Sequence, residues 1–223
     1  MSIEKTRPSE IERESLSIIR RELCEMGLDV PREREAVVLR VIHATADFEY
    51  AENLVFSKDA VPRGIEALLT GAAVVTDTNM AKAGVSKVGL RKLGGEVFCY
   101  MAEPAVAERA KEEGTTRAVA SVRYAAEMNP GAIFAVGNAP TALLELEAQM
   151  ERGFRPALVI GVPVGFVNVV EAKERILMCC ERFGVPAIVA RGRKGGSSVA
   201  AAIANALIYS AADMLEPEKR GWG

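Results

Sequence analysis

Ala132-Ile-Phe-Ala-Val136-Gly-Asn-Ala-Pro140-Thr-Ala-Leu-Leu-Glu-Leu-Glu-Ala-Gln-Met-Glu-Arg152 shows the unit from which the chain is built. Five consecutive apolar residues, a glycine–asparagine turn and a proline that opens a helical pattern form one strand–turn–helix unit. The same texture recurs from Ala72 onward. Short β-rich runs occur at Ala73–Thr76, Glu96–Met101, Ala157–Gly161 and Ala187–Ala190, with helical segments near Pro104–Glu113, Thr116–Met128, Glu171–Phe183 and Ser197–Leu215. Near-continuous apolar strands alternating with helices require a sheet buried on both faces. The expected architecture is α/β: a three-layer, doubly wound sandwich around a mainly parallel sheet of about five strands, in a single domain spanning 1–223.

Two helices precede this unit. Ser9-Glu10-Ile11-Glu12 fits a capping box, and Ile11, Ile18, Ile19 and Leu23 continue a helical period until Gly27 stops it. The second helix, from about Glu33 to Tyr50, carries apolar residues at Val37, Val41, Ala44 and Phe48 and holds His43, the one histidine in 223 residues. Its unperturbed pKa of roughly 6.5 makes it the first candidate for proton chemistry. At about 100° per residue, Arg40, His43 and Asp47 share a stripe of this helix. A short helix near Pro62–Thr70 completes the leading segment.

With 28 Lys and Arg against 30 Asp and Glu, the net charge of -2 gives no basic surface for nucleic acid, so none is expected as a partner. The longest apolar stretch, Ala157–Val170, is broken by Gly161, Pro163, Gly165 and Asn168, and no membrane partner is expected. The charged start of the chain lacks the apolar core of a signal peptide, which points to a cytoplasmic protein. The four cysteines form no paired CxxC motifs, and with one histidine no protein metal site is expected.

In doubly wound sheets ligands bind beyond the carboxyl ends of the strands. Four turns there stand out: Thr76-Asp-Thr-Asn79, Gly137-Asn-Ala-Pro-Thr141, Gly161-Val-Pro-Val-Gly165 and Arg191-Gly-Arg-Lys-Gly-Gly-Ser197. The second and fourth each lead into a helix N-terminus, whose free N–H groups favour an anion, and Arg191, Arg193 and Lys194 add charge. Asn138 and Thr141 are candidate ligand contacts in the second. Neither GxxxxGK[ST] nor an opening GxGxxG is present, so a nucleotide enzyme would rest on fold analogy alone.

Six of these segments together resemble the precorrin-8X (cobalt-precorrin-8) methylmutase family: Ser15-Leu-Ser-Ile-Ile-Arg20, Arg40-Val-Ile-His-Ala44, Gly114-Thr-Thr-Arg117, Gly137-Asn-Ala-Pro-Thr-Ala-Leu143, Gly161-Val-Pro-Val-Gly-Phe-Val167 and Arg191–Ser197. The resemblance implies an isomerase of corrin ring synthesis. Such an enzyme moves a methyl group from carbon eleven to carbon twelve of a tetrapyrrole, as a homodimer with sites at the subunit interface and without a cofactor. It implies His43 as the catalytic residue and Ser15, Arg40 and Arg117 as substrate contacts. The competing expectation is a carrier that binds a corrinoid or another anionic ligand and catalyses nothing.

Overall fold

The computed structural model describes residues 7–220. The leading segment forms α1 (Pro8–Glu25), α2 (Arg32–Thr45), α3 (Tyr50–Asn53), β1 (Leu54–Phe56) and α4 (Ala60–Leu69). The repeated units then supply β2 (Val74–Thr76), α5 (Asn79–Gly84), α6 (Lys87–Lys92), β3 (Val97–Phe98), α7 (Pro104–Glu112), α8 (Arg117–Met128), β4 (Ile133–Val136), α9 (Pro140–Glu151), β5 (Leu158–Gly161), α10 (Val169–Phe183), β6 (Ala187–Ala190) and α11 (Ser197–Ala211). A 3-10 turn, Pro217–Arg220, follows.

The sheet has six strands in the order β1-β6-β5-β4-β2-β3. All pairs are parallel except β1–β6, which runs antiparallel with Leu54 opposite Ala190. The strand beyond the expected five is β1, three residues long at the sheet edge, too short to carry a period. Alternate strand residues face opposite layers, as the pleat demands. Ile133, Ala135, Leu158 and Ile160 pack under α2, α4 and α11, while Phe134, Val136 and Val159 pack under α8, α9 and α10.

Several local expectations are corrected. The helix begins one residue early because Pro8 occupies its first turn; Arg7 becomes the cap and its N–H donates to Glu10. Ser9 and Glu12 therefore form no capping box, and Glu12 turns inward. Ile11 and Ile18 are exposed, whereas Ile19 and Leu23 are buried. On the next helix the buried stripe is Val37, Val38, Leu39, Val41 and Ile42, with Ala44 exposed. Ala46 adopts a left-handed conformation (φ 53°) and ends α2, so Asp47 is off the helix and shares no stripe with His43.

The antiparallel β1 has a consequence for the site. Because Leu54 lies opposite Ala190, the last residue of β6, the chain enters β1 at the carboxyl edge of the parallel strands. The C-terminal end of α2, with His43, is delivered to that edge by the short α3.

Candidate active site

His43 sits in the last turn of α2. The helix α1 crosses it so that Ser15 Oγ lies 2.8 Å from His43 Nδ1. Ile11, Glu14, Ser15, Ile18, Glu22, Ala46 and Phe48 surround the ring in an open groove of about 360 Å³. The exposed isoleucines of α1 thus line this groove.

Behind the pair lies a charged cluster. Glu12 is almost fully buried, and its Oε1 accepts from Arg40 (2.6 Å) and from Arg220 of the C-terminal turn. The two guanidinium groups lie over the Tyr209 ring, at 4.9 Å and 4.2 Å from its centroid. Burial pushes the Glu12 carboxyl up, but the hydrogen bonds and charges of Arg220 and Arg40 outweigh it and hold the group below its ordinary range. Partial burial lowers the His43 pKa below its usual 6.5; Glu12 opposes this, and Arg40 and Arg220 reinforce it. A depressed imidazole is a stronger acid when protonated.

Arg40 is therefore already paired within the protein. Its charge is shared with Glu12, and its side chain is only 14% exposed. Asp47 pairs with Lys194 instead (2.7 Å), and Glu49 joins from the other side at 2.9 Å. Lys194 thereby ties the loop after β6 to the turn that follows His43.

The second and fourth turns also differ from expectation. The chain leaves β2 towards one sheet edge and leaves β4 towards the other, so the crevice between these strands is the topological switch point where a nucleotide would sit. It is filled from within. The Asp77 carboxylate accepts the backbone N–H groups of Gly137 (2.8 Å), Asn138 (2.7 Å) and Ala139 (2.7 Å). The anion at this helix N-terminus is the protein's own, so the N–H groups expected to favour a ligand anion are already taken. Burial pushes the Asp77 carboxyl up against the pull of these donors.

Gly137 has no room for a side chain, since a Cβ would stand 2.8 Å from the Gly196 carbonyl oxygen. At Gly195 it would meet the Val162 carbonyl at 2.1 Å. These contacts stack the fourth turn on the second and third. Thr78 and Ser197 hydroxyls meet across the same edge at 2.8 Å. The loop is anchored from below by Lys173, wholly buried, whose Nζ donates to the carbonyls of Gly192 (2.9 Å) and Lys194 (2.8 Å). Burial lowers its pKa to about 8.

Arg117, at the first position of α8, is exposed at the same edge but belongs to the opposite helical layer, so it does not share His43's groove within one chain. Asn138 and Thr141 are exposed beside the filled crevice. Glu12, Tyr209, Arg220, Asp77 and Lys173 escaped the sequence reading. Glu12 and Lys173 carried a signal: each is a charge on a buried stripe, one helical repeat before Ile19 and Cys180, and must find partners.

The cysteines are free, with Cys99, Cys179 and Cys180 buried and Cys24 exposed. No helix among the described residues is long and apolar enough to cross a membrane.

An open groove at the carboxyl edge of a doubly wound sheet, holding an imidazole paired with a hydroxyl, is a candidate enzyme site on an α/β fold. Residues 10–210 match the family described as precorrin-8X methylmutase. The chain is 43% identical over 201 residues to the cobalt-precorrin-8 methylmutase of Priestia megaterium, with 90% of this chain and 87% of the relative covered. To the enzyme of the same name from Salmonella typhimurium it is 46% identical over 176 residues, 78% and 80% of the two chains. The solved structure of precorrin-8X methyl mutase from Thermus thermophilus superposes with a TM-score of 0.81 at 46% identity, covering 91% of this chain and 98% of that one. The chain belongs to the precorrin-8X methylmutase family, isomerases of corrin ring biosynthesis.

Proposed function

We propose that this chain moves a methyl group from carbon eleven to carbon twelve of precorrin-8X or cobalt-precorrin-8, yielding hydrogenobyrinate or cobyrinate, with His43 as the proton donor. The observation that carries the assignment is the Ser15–His43 contact inside the groove. With Nδ1 engaged by the serine, Nε2 is the atom left to face a substrate. A proton placed on the macrocycle, or shared with it, draws electrons from the conjugated system into which the methyl migrates. The imidazole recovers the proton once the product's conjugation is re-established. A shift within one molecule needs no acceptor and no nicotinamide, and any cobalt travels with the substrate.

The substrate's acetate and propionate arms need cations. Arg40 spends one N–H on Glu12 and keeps others for a carboxylate, while Arg117, Asn138 and Thr141 supply further contacts at the same edge. A groove of about 360 Å³ is at the small end of ligand sites and cannot enclose a tetrapyrrole with its arms. Val164, Phe166 and Val167 are exposed on the loop after β5, which Gly165 N–H ties to the Arg193 carbonyl, and offer further apolar surface. Both features support a homodimer in which each site is completed by the second chain, which would also bring Arg117 to a groove it does not line alone. The setting is the cytoplasm.

The test is turnover of metal-free and cobalt-loaded substrate side by side, with sedimentation at assay concentration. No methyl shift on either substrate would refute the activity. A fully active monomer would refute the shared site.

A further inference from the structure

The charged cluster behind His43 is closed from outside the stretch that matches the family. That match ends at residue 210, and Arg220 reaches back from the C-terminal turn to Glu12, across 208 residues of sequence. Its geometry is over-determined. The side chain is only 2% exposed, Nε donates to the Met214 carbonyl at 2.8 Å, another nitrogen donates to the Leu215 carbonyl, and the plane stacks on Tyr209. Glu218 of the same turn binds Arg13 of α1.

Glu12 Oε1 thus has two cationic partners, and one of them, Arg40, sits on α2 one turn before His43. We propose that Arg220 is a positioning residue that fixes Glu12 and, through it, sets where the Arg40 guanidinium stands beside His43. Without Arg220 the carboxylate would have a single partner. Arg40 would be drawn fully onto it, and the N–H groups left for a substrate arm would turn with it. The inference rests on the reading of Arg40 as a substrate contact.

The clamp has an electrostatic signature that packing alone would not produce. The charged groups around His43 are Glu12, Glu14 and Glu22 of α1, Arg40 of its own helix and Arg220; beyond Ala46, Asp47 is neutralised by Lys194. Arg220 lowers the proton affinity of His43 and Glu12 raises it. Removing Arg220 therefore shifts the local field towards Glu12.

His43 is the one imidazole in the chain, so its NMR titration is unambiguous. In Arg220→Met the midpoint should move to higher pH, and the dissociation constant for hydrogenobyrinate should rise about tenfold, the worth of one charge-assisted hydrogen bond. Arg220→Lys, which restores the charge without the fork, should return the midpoint towards wild type and leave binding weakened. Either quantity unchanged in folded Arg220→Met overturns the proposal. Should that variant not fold, Arg220→Lys decides, and wild-type affinity in it overturns the proposal. Arg40→Met, titrated alongside, separates the two readings: unchanged affinity there refutes Arg40 as a substrate contact, whereas weakened affinity there with wild-type affinity in Arg220→Met refutes the positioning role.

Discussion

Ser15 Oγ and His43 Nδ1 stand 2.8 Å apart across the seam between α1 and α2. Because one ring nitrogen is held, the other is aimed. Ser15→Ala removes a single hydrogen bond, worth roughly 0.5–1.5 kcal/mol, so turnover should fall by about two- to tenfold with little change in substrate affinity. Steady-state kinetics decide: an effect confined to KM would make Ser15 a binding group and not an orienting one.

His43→Asn retains hydrogen-bonding capacity and approximate size but removes the transferable proton. General acid–base catalysis typically contributes 10²–10⁴-fold, so turnover should drop by about that factor while corrinoid still binds. For the wild type, kcat/KM should decline as pH rises through the His43 pKa, since the protonated form donates. Burial places that limb below the ordinary 6.5. Near-wild-type turnover by the folded variant would end the acid assignment. Normal binding with lost turnover would exclude a carrier, which has no use for a proton.

Asp77 makes a structural prediction at the switch point. Its two oxygens accept three backbone N–H groups. Asp77→Asn leaves one acceptor oxygen and turns an amide donor towards those N–H groups. With one or two donors unpaired at about 1–3 kcal/mol each, stability should fall by roughly 2–4 kcal/mol. Denaturant unfolding measures it; a loss under about 0.5 kcal/mol would mean that water satisfies the turn.

The strand–turn–helix texture from Ala73 to Ala190 was legible because each unit is local: an apolar run, a turn glycine, a helix start. The candidate site was legible only in part. Helical spacing placed Arg40 and His43 on one face, but no local pattern states which helix crosses that face, and Ser15 came from the family resemblance. The Ser9–Glu12 spacing suggested a cap, yet Pro8 moved the helix start and freed Glu12 for an arginine 208 residues away. The turn at Gly137 read as an open anion site because its occupant, Asp77, is 60 residues upstream. In both cases the residue's partner lies far away in sequence, where no local pattern can point to it.

Lys173 gives the last test. The ammonium is wholly buried, has two carbonyl acceptors, and titrates at about 8 in the folded chain against an ordinary 10.5. Between those values the unfolded chain holds a proton that the native one has released. Lys173's contribution to stability therefore rises with pH through that window, and its burial cost is largest below about 8. Cys180, pushed up to about 12 by burial, acts in the opposite sense above its ordinary 9. Comparison with Lys173→Met cancels that background. From about pH 7.5 to about pH 9.5 the wild type should gain about 2 kcal/mol relative to the variant in urea unfolding. Parallel pH profiles would mean that Lys173 keeps its proton in the native state. The loop carrying Lys194, and through it the turn after His43, would then be held by a permanent charge across the whole range.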